Sequence, residues 1–364
     1  MISKEVLPHW RSDVNDQYLT IGKRFTPPED IHSPYYPLKG PYSSRDPEII
    51  FNQFAEMRQS GIDVAVLSWW GQSSKNYSTD TQGISTDSIV SIIMGLAEHD
   101  GFIKIAFHLE PYPSRSALSV RDDIKYILEK YGSYTSFYRT RDGLPLFYVY
   151  DSYHISTDEW EDILQPDGKN TIRNSPLDAV MIGLWLERQN GDDLKRSGFD
   201  GVYTYFASEG FSYGSSVHNW LRICNYCRAN EMLCVLSAGP GYNDTKIRPW
   251  NHANTMSRRC GVWVINKDDQ FGLISQLRFS FSVLSPVHLR DGSYYREMLE
   301  GALAANPHVV RLLQAPSSLA QYCSRMLSRN VSVPLMSLPS CSPSSHLLSM
   351  IVRINVLPPK HNLF

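Results

Sequence analysis

The sequence lacks most of the features that assign a function quickly. Its 35 basic and 37 acidic residues nearly cancel, leaving a formal net charge of −2. A chain so balanced has no electrostatic footprint for nucleic acid or for an anionic membrane surface, and a neutral substrate suits it better. No paired His-x-x-x-His and no P-loop occur, and serine hydrolysis, zinc chemistry and nucleotide use are not expected. The six cysteines, Cys224, Cys227, Cys234, Cys260, Cys323 and Cys341, are scattered. Only Cys224 and Cys227 have a CxxC spacing, and no second CxxC or histidine pair completes a metal site, so neither a metal nor a cofactor is expected. Spacing alone does not decide which cysteines pair. The opening stretch MISKEVLPHW has no apolar run fit for a signal peptide or a membrane anchor, so no targeting device is expected in it. Sequons at Asn76, Asn243 and Asn330 suit a secretory protein, although such triplets also arise by chance.

What is present is rhythm. Short runs rich in β-branched and aromatic residues recur, each followed by apolar residues at helical spacing, which is the pattern of βα units. The expected strands are Asp63–Ser68, Ile103–His108, Leu146–Tyr150, Ala179–Leu184, Gly201–Tyr205, Leu233–Ser237 and, less distinctly, His308–Leu312. Between them, Ile50, Phe54 and Met57 predict one helix face, Ile89, Ile92, Ile93 and Leu96 a second, and Val120, Ile124, Ile127 and Leu128 a third. Seven such strands fit either a (β/α) barrel short of one strand or an open doubly wound sheet. The strand ends decide between them. No glycine-rich phosphate fingerprint follows the first strand, which argues against a dinucleotide fold. The junctions instead read Ser68-Trp69-Trp70, His108-Leu109-Glu110-Pro111-Tyr112, Tyr150-Asp151-Ser152-Tyr153, Trp185-Leu186-Glu187, Tyr205-Phe206 and Gly239-Pro240-Gly241-Tyr242. Aromatic rings and carboxylates gathered where strands run into loops are what a barrel's functional end looks like.

Those junctions suggest carbohydrate chemistry. With 8 Trp and 21 Tyr the chain has many rings that can stack on the apolar faces of sugars, as well as fill a core. Glycoside hydrolysis uses two carboxyl groups flanking the bond, and spacing offers Glu110 and Glu187 as that pair, with Asp151 as a third candidate. Trp69, Trp70, Tyr112 and Tyr205 are candidate stacking platforms, with Tyr150 beside them. His108 is a candidate general acid or base, or else a histidine bonded to its neighbour. Arg248 and Trp250, in IRPWN, are placed to hold hydroxyl groups and a ring, or to form a salt bridge and a packed indole.

Longer words in the sequence carry a resemblance. VLPHW, YYPLKGPYSSRDP, SWW, HLEPY, KYGSYTSFYR, LPLFYVYDSY, GFDGVYTYFAS, GFSYGSS and GPGYNDTKIRPWN, in that order, resemble glycoside hydrolase family 99, the glycoprotein endo-α-1,2-mannosidases. The likeness runs from about Val6 to Thr255, with an echo in DGSYYREMLEGALAANPHVV. It implies a (β/α)8 TIM-type barrel that cleaves an internal α-1,2-mannosyl linkage of glucosylated high-mannose N-glycans, with retention and without a metal. It also implies the lumenal side of the Golgi membrane, reached through an N-terminal anchor that is not in this sequence. Trp69 or Trp70, Glu110, Tyr205 and the Arg248-to-Trp250 segment match sugar-binding positions.

Two departures accompany it. The family's first strand precedes VLPHW, and its catalytic pair lies in an N-E-W-H-E-G word after the last strand. Here the chain after Val310 reads RLLQAPSSLAQYCS, and no Glu follows Glu300. The barrel is therefore expected to be incomplete, lacking its first strand and divergent at its C-terminal end. Residues 1–255 are expected to form the barrel domain, 256–289 an atypical insertion, 290–313 a return to the barrel, and 314–364 a divergent, poorly ordered tail. Little catalysis is expected with the pair absent, and the alternatives are a non-catalytic glycan-binding protein or a non-functional truncated product. Glu110 and Glu187 stay as the fallback pair.

Overall fold

The computed structural model describes residues 25–34, 36–37, 39–59, 62–75, 79, 85–205, 210–238, 242–246 and 252–255, together with the backbone of 277–282 and 351–356. Six strands follow one another around a curled parallel sheet: β1 (Val64–Trp69), β2 (Lys104–Leu109), β3 (Leu146–Val149), β4 (Val180–Leu184), β5 (Gly201–Tyr203) and β6 (Leu233–Ala238). Helices α1 (Pro47–Gln59), α2 (Asp87–Asp100), α3 (Ala117–Tyr131), α4 (Thr157–Leu164), α5 (Asn190–Ser197) and α6 (Trp220–Ala229) alternate with them. This is the incomplete barrel that the strand rhythm implies. Two further strands complete the circle of hydrogen bonds, β7 (Leu277–Ser282) beside β1 and β8 (Ile351–Val356) between β7 and β6. β8 runs antiparallel to both neighbours, whereas the strands of a regular (β/α)8 barrel are all parallel. The segment expected as an insertion and the tail expected to be poorly ordered thus each supply one strand. The strand expected at His308–Leu312 lies outside the described residues.

Side chains on each strand alternate between two cores, as a period of two requires. Val64, Val66, Ala106, Leu146, Tyr148, Ile182, Leu184, Tyr203 and Val235 fill the barrel interior. Ala65, Trp69, Ile105, Phe107, Leu109, Phe147, Val149, Met181 and Val202 point outward and pack against the helices. Gly183 on β4 allows close approach, since a Cβ there would collide with the Leu194 side chain of α5 and crowd the Phe199 ring. The helices begin where their sequences permit. Ser116 and Ser156 are N-caps of α3 and α4, each in a reciprocal capping box with the residue three positions on.

The predicted faces of α1 and α3 are the buried ones, except that Leu128 is only half-buried. The face of α2 is rotated from the prediction. Asp87, Val90, Met94 and Ala97 are buried, Ile89, Ile93 and Leu96 flank them, and Ile92 is exposed. The count of isoleucines gave the wrong centre because a buried carboxylate holds the helix. Asp87 Oδ1 accepts from the Trp69 indole at 3.0 Å, and Oδ2 accepts from the Tyr126 hydroxyl at 2.7 Å and from the Ser73 amide at 3.2 Å.

A disulfide joins Cys224 on α6 to Cys234 on β6, with the Cα atoms 5.3 Å apart. The CxxC pair is therefore split between a bridge and a buried free thiol at Cys227, whose pKa burial pushes up to about 12. Among the described residues no helix is long and apolar enough to cross a membrane.

Candidate functional site

The inward-facing register carries past the last apolar layer to the C-terminal ends of the strands. There it places Ser68 on β1, His108 on β2, Glu110 just beyond it, Tyr150 after β3, and Tyr203 and Tyr205 on and after β5. These residues form one connected cluster. The Ser68 hydroxyl donates to Glu110 Oε1 at 2.6 Å, and His108 Nδ1 lies 2.7 Å from the same oxygen. His108 Nε2 lies 2.8 Å from the Tyr203 hydroxyl. A carboxylate only accepts, so Nδ1 carries a hydrogen; in the neutral imidazole Nε2 then accepts from Tyr203. The histidine is fully enclosed, with rings of Tyr150, Tyr203 and Tyr205 centred 5.5, 5.6 and 5.8 Å from its own. Tyr150 and Tyr205 lie against each other at 4.5 Å. Burial and then the neighbouring phenol of Tyr205 raise the pKa of Tyr150, keeping it protonated as a hydrogen-bond donor.

Glu110 is 6% exposed, and among the described residues both of its side-chain hydrogen bonds fall on Oε1. Among the described residues no hydrogen bond falls on Oε2. A buried carboxylate with one oxygen committed and the other open suits a ligand hydroxyl. Arg115 braces this arrangement. Its guanidinium donates to the carbonyl of Leu109 at 3.1 Å and to that of Asp151 at 2.8 Å, tying together the chain ends after β2 and β3. Desolvation lowers the pKa of Arg115, and the charges of Asp151 and Glu110 oppose that change. Among the described residues no group of three or more His, Cys, Asp or Glu side chains is placed to hold a metal ion.

Several sequence candidates occupy other places. Trp69 is 0% exposed, points outward from β1 and gives its indole N–H to Asp87, so it packs behind the sheet and is no stacking platform at the mouth. Trp70, one residue on and half-buried, keeps that possibility; its amide is held by Thr86 Oγ1 at 3.1 Å. Tyr112 is buried, with its hydroxyl bonded to Asp123 and 2.7 Å from Ser119 Oγ, so it anchors its loop to α3 and presents no free ring face. Glu187 stands exposed after β4, joined by no hydrogen bond to Glu110, and its amide is held by Asn190 Oδ1 at 2.6 Å. The two are not assembled as a hydrogen-bonded pair. Arg248 and Trp250 lie outside the described residues. The string Gly210-Phe211-Ser212-Tyr213-Gly214 spells a nucleophile elbow, although serine hydrolysis is not expected. Its Ser212 bonds to Ser215 in the loop before α6, and among the described residues no imidazole is bonded to it, so no serine nucleophile is assembled there.

Sequence reasoning missed Ser68, Tyr203 and Arg115. The first two were recoverable, since each shares the inward face with His108 once the strand register is fixed. Arg115 had no signal, because it acts through backbone carbonyls.

The architecture defines a (β/α)-barrel protein with a polar, tyrosine-lined mouth at the strand C-termini. Comparison with known proteins sharpens that class. The profile of glycosyl hydrolase family 99 matches residues 2–271. A glycoprotein endo-alpha-1,2-mannosidase-like protein of Homo sapiens is 39% identical over 311 residues, 84% of this chain and 60% of the human protein. A glycoprotein endo-alpha-1,2-mannosidase of Mus musculus is 42% identical over 284 residues, 77% of this chain and 59% of the mouse protein. Among solved structures, the GH99 endo-alpha-mannosidase of Bacteroides thetaiotaomicron superposes with a TM-score of 0.58 at 39% identity, covering 64% of this chain and 65% of the bacterial one. The chain belongs to glycosyl hydrolase family 99. It spans about 60% of the length of the curated relatives it matches.

Proposed function

We propose that the mouth binds the α-1,2-linked mannose portion of glucosylated high-mannose N-glycans, and that residues 1–364 bind this ligand with little or no turnover. The observation that carries the reading is Glu110: a nearly enclosed carboxylate, oriented through one oxygen by Ser68 and by the tyrosine-ringed His108, with no hydrogen bond on the other oxygen among the described residues. This arrangement suits a neutral polyhydroxylated ring, which offers hydroxyl donors and an apolar face. Membership of the family supports an α-mannoside as that ring. The sequence after Val310, which reads RLLQAPSSLAQYCS where the resemblance to the family implies an acidic word, supports low turnover. Loss of general acid and base groups typically costs about 10²–10⁴-fold each, not additively. If turnover does occur it proceeds with retention. The Cys224–Cys234 bridge supports an oxidising, lumenal compartment such as the Golgi.

The test is calorimetric titration of the folded chain with a glucosylated high-mannose glycan, alongside an assay for released oligosaccharide. Binding without release is the expected result. Release abolished by Glu187→Gln would restore Glu110 and Glu187 as the acid pair, and absence of binding by a cooperatively folding protein would overturn the glycan reading.

A further inference from the structure

Next to the Glu110 cluster, the turn that follows β3 presents a second arrangement of ring and carboxylate that the binding mouth does not use. Tyr153 is 45% exposed, unlike the enclosed rings around His108. An exposed ring usually samples several rotamers, but this one is held. Its hydroxyl donates to Asp151 Oδ1 at 2.9 Å, and its edge meets the His154 ring at 4.6 Å. The turn beneath is equally fixed. The Ser152 hydroxyl oxygen accepts from the Leu184 amide at 3.2 Å, and the Ser152 carbonyl accepts from the Trp160 indole at 2.9 Å.

Asp151 has φ +46° and ψ +45°, a left-handed conformation unfavourable for a residue with a Cβ. Arg115 holds it there by donating to its carbonyl. Backbone strain of this kind persists where surrounding bonds enforce it, often at ligand-binding positions. Among the described residues the Asp151 carboxylate accepts one side-chain hydrogen bond, from Tyr153 on Oδ1.

We propose that Tyr153 and Asp151 form a second sugar-ring site on the rim after β3, which selects longer oligosaccharides over short ones. The ring offers its face to the apolar side of a pyranose, and the Asp151 carboxylate takes a hydroxyl hydrogen at its edge. The site rests on the reading of the mouth as a glycan site and extends it by one sugar unit.

The test compares wild type with Tyr153→Ala and Asp151→Asn, using α-1,2-mannobiose as the short probe and a glucosylated high-mannose glycan as the long one. Tyr153→Ala is expected to weaken the long ligand about tenfold while leaving mannobiose within about twofold. Asp151→Asn is expected to do the same to a lesser degree, and both variants should keep the wild-type melting midpoint. Equal weakening of both ligands, or no weakening of either, overturns the second site. If wild type binds neither ligand, the mouth reading fails and the second site falls with it. If wild type binds both and Tyr153→Ala preserves their ratio, only the second site falls.

Discussion

Asp87 on the helix side of the sheet and Glu110 at the barrel mouth are almost equally closed off, at 1% and 6% exposure, yet their oxygens are used differently. Asp87 receives hydrogen bonds on both oxygens, from Trp69 and Tyr131 on one and from Ser73, Tyr126 and Lys130 on the other. Burial alone would raise its pKa, but the bonds from Trp69, Tyr126 and Ser73 outweigh burial and hold it low. Among the described residues Glu110 receives both of its side-chain hydrogen bonds on one oxygen. A saturated buried carboxylate serves the fold, because nothing else can reach it. A half-saturated one beside an opening can serve a ligand.

The sharpest way to break this contrast is to remove each acid in turn. Asp87→Ala leaves several buried donors without an acceptor and is expected to cost about 3–5 kcal/mol of stability. Urea denaturation reads that loss, and the fraction still folded should bind glycan normally. Glu110→Gln should behave in the opposite way, weakening glycan affinity about tenfold or more with the urea midpoint nearly unmoved. A large stability loss there would place Glu110 with Asp87.

pH sharpens the comparison between two acids of the helix layer. Asp123 is raised by burial, against the bonds from Tyr112 and Gln72, while Asp87 is lowered. A lowered acid stabilises the fold above its unfolded value of about 4 and loses that contribution as the pH falls toward its folded value. A raised one costs stability at neutral pH and regains it as the pH falls through its folded value. The stability of wild type minus Asp123→Asn is therefore expected to grow between neutral pH and about 4, and that of wild type minus Asp87→Asn to shrink only below about 4. Denaturation midpoints across that range check both slopes. The smallest effect is assigned to Ser68→Ala. It removes one of two donors to Oε1 and is expected to weaken glycan affinity about threefold, by a single hydrogen bond's net worth.

Much of this contrast was legible before any coordinates. Six of the expected strands lie within a residue or two of their observed bounds because their β-branched and aromatic runs are short and well punctuated. His108 and Glu110 stood out because two polar groups two residues apart at a strand end must share the inward face. Trp69 and Tyr112 were misplaced for the converse reason: their rings suit sugar or core equally well, and only the register, with Asp87 and Asp123 as partners, decides. The structural acids themselves were hidden. Each sits on a helix that reads as an ordinary amphipathic segment, and its donors come from residues distant in sequence. The Cys224–Cys234 pairing was hidden likewise, since it depends on how closely a helix lies over the next strand.

That bridge has a consequence for proteolysis. It encloses the turn at Asn230 and Glu231, where Glu231 is exposed with φ +58°. A protease that nicks this turn severs the backbone without parting the fragments. A single cut there should run as one intact band on a non-reducing gel and as two pieces after reduction, which makes limited digestion a direct reporter of whether the chain has been oxidised.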